Sequence, residues 1–292
     1  MLPDFDYVKP KCIDEALQYL EKEGSKALAG GTDMIVNLRA EKITPELLVD
    51  IKGLEELRGI KKVDEGVWIG ALTVIDDIVH SPLLHAYRAL VQGAKVLGCL
   101  EIRYRATIGG NICNGSPSAD TLPGLLLYNA EIELVSRHGK RRMALEDFLK
   151  GPGRVDLNRG ELLKGIILPS PPPNADSRYY RKSRVKGMDL SSVSVAVFAR
   201  DLNRPQDTEI RIALGAVMPT VSRMKKAEQF LSENKPFSED KLNKAIGIIL
   251  NEVSPRKSSL RATPEYKKEM VKVLIKQAIK EMSGGVESES KH

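Results

Sequence analysis

Ile13, Ala16, Leu17 and Leu20 recur at the i, i+3, i+4, i+7 spacing of one helical face, and Gly24 follows as a stop. The pattern predicts an amphipathic helix. A short apolar run at 26–29 then enters Gly30-Gly31, residues 33–40 read as helix again, and 47–51 as a second strand. This first block, 1–60, is a small α/β unit. The next block, 61–170, begins with a strand at 66–71 and a helix opening at Thr73. Ser81-Pro82 interrupts it before a longer helix over 83–97. A glycine-rich loop follows, then an apolar helix at 121–129. Residues 131–136 alternate like a strand, 137–140 suit a hairpin turn, and 141–145 return. The strand 162–168 runs into Pro169-Ser170-Pro171-Pro172-Pro173, the best linker in the chain, because proline continues neither ladder nor helix. Beyond it, 171–282 predicts two antiparallel strands, 191–201 and 208–216, then helices at 221–233, 238–251 and 264–282. The small, polar residues 283–292 suit a disordered tail. No internal repeat is visible.

The chain has 292 residues, enough for about two domains at roughly 150 residues each. Its 42% hydrophobic and 29% charged residues can bury a core. No apolar run approaches the ~20 residues of a membrane span, and Met1-Leu2-Pro3-Asp4 does not open a secretory signal. The net charge of +6 raises nucleic acid as a partner. Against it, the basic residues are dispersed and aromatics reach only 5%. The densest cluster, Arg178, Arg181, Lys182, Arg184 and Lys186, suits either an anionic ligand or a solvated strand face. Cys12, Cys99 and Cys113 are too scattered to hold zinc or an iron–sulfur cluster. They fit a reduced, cytoplasmic protein.

Two paired glycines carry the chemical signal. Leu28-Ala29-Gly30-Gly31-Thr32-Asp33 leads from a strand into a helix, and Thr107-Ile108-Gly109-Gly110-Asn111 lies in the glycine-rich loop. Paired glycines reach positive φ and bring backbone N–H groups close to an anion. A helix N-terminus beside such a loop adds oriented donors. Two loops of this kind suit the pyrophosphate and ribityl parts of a dinucleotide, and ordinary tight turns are the plain alternative. Neither loop is a G-x-G-x-x-G or G-x-x-x-x-G-K-[ST] motif.

The run from Cys99 through Ile102-Arg103 and Thr107-Ile108-Gly109-Gly110-Asn111 to Ser116-Pro117 and Asp120 resembles one family signature. The family is the FAD-binding medium subunit of molybdenum hydroxylases, of carbon monoxide dehydrogenase and xanthine dehydrogenase type. Leu28 to Asp33 resembles its pyrophosphate loop, and Ile69-Gly70-Ala71-Leu72-Thr73 its strand–helix step. Gly151-Pro152-Gly153, Glu161-Leu162-Leu163, Ile166-Ile167-Leu168-Pro169, Met188-Asp189-Leu190 and Glu265-Tyr266 are similar to later motifs, in the same order.

The resemblance implies an α+β architecture of the FAD-binding PCMH type: two α/β subdomains, 1–60 and 61–170, followed by a C-terminal flavoprotein domain, 171–282, of antiparallel strands and a helical bundle. FAD would lie between the first two, with the third closing over its ring. Gly30, Gly31 and Thr32 would cradle the pyrophosphate, flanked by Leu28, Ala29 and Asp33. Thr107, Gly110, Asn111 and Asp120 would bond the ribityl and phosphate region, with Ile108 and Gly109 completing that segment. Leu97 and Leu190 match positions flanking the isoalloxazine, and Lys182 a lysine near the flavin. The family's acidic residue before the last helix is absent, because Ser258-Ser259 precede Leu260-Arg261. That departure puts in doubt an ion pair of Arg261, not the flavin site.

Each assignment has a plainer counterpart. Asp120 suits a helix N-cap, Leu97 and Leu190 a core, and Lys182 a solvated strand. Cys113 suits packing rather than redox chemistry, and Arg103 and Arg105 orient the second loop or face a partner. His80, His85 and His138 lack ligand-like spacing. With no catalytic triad, metal-binding helix or paired carboxylates, the chemistry would be the cofactor's. The implied complex is a heterotrimer that commonly doubles. A small subunit would carry two [2Fe–2S] clusters and a large subunit the molybdenum cofactor, and electrons would pass through FAD to an acceptor such as NAD. A stand-alone flavin oxidoreductase and a binding protein for another phosphate ligand are the rivals, since fold alone does not fix reaction.

Overall fold

The computed structural model describes residues 2–256, 258–259 and 261–284. The expected disordered tail falls, from residue 285 onward, outside the described residues. The chain forms two compact units. One comprises Met1–Leu83, Leu97–Ser116 and Asn129–Ser170, the other Leu84–Val96, Pro117–Tyr128 and Pro171–His292.

In the first unit, a parallel sheet places the fully buried strand Leu47–Asp50 between Asp6–Val8 and Ser25–Leu28. A central parallel strand is covered on both faces, which explains its continuous apolar run. The helix Ile13–Leu20 buries Ala16, Leu17 and Leu20 in the same core as Val49. A second, antiparallel sheet runs Ile60–Val63, Gly66–Gly70, Leu162–Pro169, Glu131–Ser136, Gly139–Ala144. Its Leu162 and Val135 join the core built on the first sheet, together with Leu72. The buried Trp68 lies over Gly165, where a methyl would stand 2.5 Å from the indole. Its Nε1 donates to Glu133 Oε2 at 2.7 Å, and Lys61 sits 4.5 Å from a Trp68 ring centroid.

In the second unit, the antiparallel order is Ala175–Lys182, Val193–Arg200, Glu209–Gly215, Ser222–Arg223. Val193, Val195, Val197, Ile210, Ile212 and Leu214 share a core with the helices Lys225–Glu233, Glu239–Glu252 and Pro264–Met282. Alternation sends Phe198, Ser177 and Tyr179 to the opposite face, where the helices Arg88–Val96 and Leu122–Leu127 pack. Tyr87, Tyr128 and Phe198 meet there edge to face, with centroids 4.9 and 5.9 Å apart. The two helices approach through glycine. A methyl on Gly93 would fall on the Asp120 carbonyl oxygen, and one on Gly124 would stand 2.6 Å from Leu90 Cα.

Mixed helices and strands, with an antiparallel sheet in the C-terminal part, agree with the α+β expectation. Several elements differ locally. The second glycine segment is not a loop: Gly109 and Gly110 lie in the helix Ile108–Cys113, preceded by the short helix Leu100–Arg103. The long helix expected from Leu83 starts at Arg88, because Pro82–Leu84 closes as a separate 3-10 turn. The helix expected from Val221 starts at Lys225, since Ser222 and Arg223 pair with Leu214 and Ala213 as a strand. Strand Ala175–Lys182 shows no apolar alternation because its Ser177, Tyr179 and Arg181 face polar partners. Strand Ile60–Val63 is an edge carrying two lysines, a composition that hides it from pattern reading.

Substituting Gly124→Ala should destabilise the chain by about 1–3 kcal/mol, since the backbone of Leu90 must move. Gly247→Ala, at a helical position with nothing within 4 Å, should stabilise it by up to about 1 kcal/mol. Urea unfolding followed by circular dichroism checks both signs.

Candidate functional site

The parallel strand Ser25–Leu28 ends in Ala29-Gly30-Gly31-Thr32, and the helix Met34–Arg39 begins directly after. Gly31 adopts φ +77°, a conformation unfavourable for any side chain. Its carbonyl accepts the Ile35 N–H at 3.0 Å. Gly30 is needed for another reason: a methyl there would fall on the carbonyl oxygen of Arg105. The second segment therefore lies directly against the first.

That second segment is held by its own bonds. Ile75 N–H donates to Ala106 O at 2.9 Å, Ile108 N–H to Thr73 O at 3.0 Å, and Gly109 N–H to Ala71 O at 2.9 Å. A methyl on Gly109 would stand 2.6 Å from Ala71 Cβ, so this glycine permits close packing rather than positive φ. Thr107 caps its helix, the hydroxyl accepting Gly110 N–H at 3.1 Å. A methyl on Gly110 would stand 2.9 Å from the capping Thr107 Oγ1, with Ala29 Cβ farther off at 4.0 Å. Of the four paired glycines, only Gly31 uses the positive φ that paired glycines can take.

The structure thus brings Leu28 to Asp33 and Thr107 to Asn111 together. Across the junction, Gly30, Gly31 and Thr32 present three successive N–H groups with no protein acceptor among the described residues. Asp33 is exposed and does not cap its helix. Such a row of backbone donors, with a Cβ excluded at Gly30 by the Arg105 carbonyl, fits the oxygens of a phosphate or pyrophosphate. Leu97, in the same unit, is half-buried, and its carbonyl accepts Arg103 Nη1 at 3.2 Å. That bond gives Arg103 a structural role. Cys113 is half-buried beside the segment, and burial pushes its thiol up to about 12.

Asp120, Lys182 and Leu190 belong to the second unit. Asp120 is 5% exposed. It accepts Tyr179 OH and Ser191 Oγ on Oδ1, each at 2.6 Å, and Arg181 Nη1 on Oδ2 at 2.9 Å. It is not an N-cap, since Thr121 holds that position. Burial pushes its carboxyl upward, while the Ser191 and Tyr179 hydroxyls and the Arg181 charge pull it back. Burial and the adjacent carboxylate hold the Tyr179 phenol well above its ordinary range, so it stays a donor. None of these three partners carries a sequence signal of its own, because they lie on a strand and loop distant along the chain.

Lys182 is exposed at the end of its strand. Leu190 is 50% exposed rather than in the core. It follows Asp189, which grips Arg184 through two hydrogen bonds of 3.1 Å. The basic run is largely neutralised locally: Arg178 pairs with Asp176, Arg181 with Asp120 and Arg184 with Asp189. Among the described residues there is no cluster of three or more His, Cys, Asp or Glu able to hold a metal ion. No described helix is long and apolar enough to cross a membrane.

Residues 3–171 match the family model for the FAD-binding domain in molybdopterin dehydrogenase, and residues 178–282 that for the carbon monoxide dehydrogenase flavoprotein C-terminal domain. The chain belongs to this family of FAD-binding medium subunits of carbon monoxide dehydrogenase and xanthine dehydrogenase type, which are oxidoreductase flavoproteins. It is 32% identical to the glyceraldehyde dehydrogenase medium chain of Sulfolobus acidocaldarius, over 96% of this chain and 99% of that one. It is also 32% identical to the xanthine dehydrogenase FAD-binding subunit of Escherichia coli O157:H7, over 94% of each. A solved carbon monoxide dehydrogenase chain from Hydrogenophaga pseudoflava superposes with a TM-score of 0.89 at 31% identity, over 96% of this chain and 97% of that one.

Replacing Asp120 with alanine leaves the part-buried Arg181 guanidinium without its counter-ion and should cost about 3 kcal/mol, read as a lowered urea midpoint. A second measurement concerns the thiols. Exposed Cys12 should react readily with a thiol reagent. Cys113 should stay slow at neutral pH and accelerate about tenfold per pH unit in the alkaline range, because only the thiolate reacts.

Proposed function

We propose that this chain carries FAD on its two glycine segments. Within a molybdenum hydroxylase complex it would be the subunit through which electrons leave iron–sulfur clusters for an acceptor such as NAD. The observation that carries the reading is the triple N–H cradle of Gly30, Gly31 and Thr32, closed on one side by Arg105-Ala106-Thr107. Bound there, FAD supplies electron exchange singly or in pairs, which the side chains of this protein do not provide.

The residues bind and orient. The backbone N–H groups of Gly30, Gly31 and Thr32 hold pyrophosphate oxygens by charge-assisted hydrogen bonds. Leu28 and Ala29 end the strand that aims them, and Asp33 opens the following helix. Thr107, Ile108, Gly109, Gly110 and Asn111 form the second wall, with Thr107 fixing the backbone of that turn through its cap. Leu97 offers an apolar surface for the flavin ring. Asp120, Lys182 and Leu190 are further proposed cofactor contacts, on the strength of the family resemblance. Asp120 has accepting capacity left, since a carboxylate takes about four hydrogen bonds and three donors are in place. Leu190 is an exposed leucine with apolar surface to offer.

The partners follow from the family: a small subunit with [2Fe–2S] clusters and a large subunit with the molybdenum cofactor. Medium chains of carbon monoxide dehydrogenase and glyceraldehyde dehydrogenase, by their names, are parts of larger enzymes. The three free cysteines support placing the complex in a reducing, cytoplasmic compartment.

The purified protein should show the absorption of an oxidised flavin and release FAD on denaturation. Gly31→Val should weaken FAD binding about ten- to hundred-fold by misaligning charge-assisted hydrogen bonds. The Trp68 environment, in the other sheet of that unit, should stay unchanged by fluorescence. Lys182→Ala and Leu190→Asp, both at exposed positions, test the second-unit contacts separately in the same titration. A protein that takes up no FAD, even when incubated with excess, would falsify the reading. NADH that leaves the flavin oxidised under anaerobic conditions would remove NAD as the acceptor.

A further inference from the structure

Away from the glycine segments, the second unit holds a groove of about 460 Å3 beside strand Glu209–Gly215 and helix Lys225–Glu233. That volume is ample for a small metabolite. Five cations line it, Arg200, Arg211, Arg223, Lys225 and Lys235, against the carboxylates of Asp207, Glu209 and Glu228.

Two of the carboxylates are already engaged. Glu209 Oε1 accepts Arg211 Nε at 2.8 Å. Glu228 accepts Arg223 Nε at 3.1 Å and the Ile212 N–H at 2.9 Å. Arg200, in contrast, makes no side-chain hydrogen bond among the described residues, and its Nε is shielded from water without a partner. It keeps two long ion pairs, with Asp201 and Glu209, each at 3.6 Å. Lys235 is half-buried and forms no hydrogen bond or direct ion pair among the described residues. Burial pulls its ammonium below the usual range, with Asp207 and Glu209 opposing at longer reach.

The strand edge adds a donor. Glu209–Gly215 is covered on its outer side only at Ala213 and Leu214. Ile212 uses its outward N–H on Glu228 and its outward carbonyl on the Met224 N–H. Two residues earlier, Ile210 presents its peptide groups to the same side, and they meet no partner among the described residues. Under-bonded cations beside an open N–H, in a partly desolvated groove, are a recognition surface for oxyanions. Arginine contributes a planar fork and lysine a movable point charge.

We propose that this groove binds a small multivalent oxyanion, a metabolite bearing phosphate or carboxylate groups. The Arg200 guanidinium, the Lys235 ammonium and the Ile210 N–H would hold it. The site shares no residue with the cofactor reading and stands without it.

The test is isothermal titration calorimetry of the full chain, preincubated with excess FAD, with inorganic pyrophosphate and with citrate. Ionic strength is held constant so that screening does not change. Saturable binding of one anion per chain is expected, weakened about ten- to hundred-fold in Arg200→Ala and Lys235→Gln. Lys244→Ala, at an exposed position on helix Glu239–Glu252, should bind as the unaltered chain does. Should Arg200→Ala not fold, Lys235→Gln alone decides, because its lysine forms no hydrogen bond or direct ion pair among the described residues. Preference for pyrophosphate assigns phosphate chemistry to the ligand, and preference for citrate carboxylate chemistry. No saturable heat with either anion overturns the proposal, as does equal binding by the groove variants. If the chain takes up no FAD, the cofactor reading fails, yet the groove variants still report on the groove.

Discussion

The carbonyl oxygen of Arg105 occupies the space where a side chain on Gly30 would begin, and the candidate site is organised by that approach. It brings two segments, distant along the chain, into backbone contact. The N–H groups of Gly30, Gly31 and Thr32 beside it have no protein acceptor among the described residues. A side chain at Gly30 would separate the segments, and one at Gly31 would oppose its left-handed backbone. The second segment tolerates the approach because it is pinned from behind, through Ile108, Gly109 and the bonds from Ala106 to the Ala71–Ile75 stretch. Steric exclusion and backbone satisfaction act together here: the second segment's N–H groups are bonded within the chain, while those of Gly30, Gly31 and Thr32 have no protein acceptor among the described residues.

In the second unit the comparable constraint is electrostatic. A carboxylate as buried as Asp120 is strongly disfavoured alone. Three donors make it tenable, and in doing so they tie strand Ala175–Lys182 and the Ser191 turn to the start of helix Leu122–Leu127. The same unit shows how a basic stretch loses its charge. Carboxylates placed by the fold neutralise Arg178, Arg181 and Arg184, so the cationic character suggested by the bare sequence is mostly internal. Outside that run, Arg200 keeps only long ion pairs of 3.6 Å and Lys235 has no direct pair among the described residues, and no run of basic residues announces either.

Elements set by local chemistry were legible. Helical periodicity marks Ile13–Leu20, Glu239–Glu252 and Pro264–Met282, and alternation, broken only at Val135, marks Glu131–Ser136. Elements whose pattern depends on partners were not. Strand Ala175–Lys182 turns polar side chains inward, so its alternation is invisible until Asp120 and Gln92 are placed beside it. The second glycine pair was visible as a motif but not as a helix, because glycine disfavours helix and only packing against Ala71 compensates for it.

The sequence by itself determined the family, through glycine segments and later motifs in a fixed order, and with it the α+β class. It did so because the backbone demands of Gly31 and the side-chain periods of the helices are written within a few residues of one another. Only the tertiary structure decided which glycine serves conformation and which serves close approach, which donors surround Asp120, and which cations are left without hydrogen bonds among the described residues. Those outcomes depend on groups far apart in the chain meeting at van der Waals or hydrogen-bond distance, and such meetings leave no periodic trace in the order of residues.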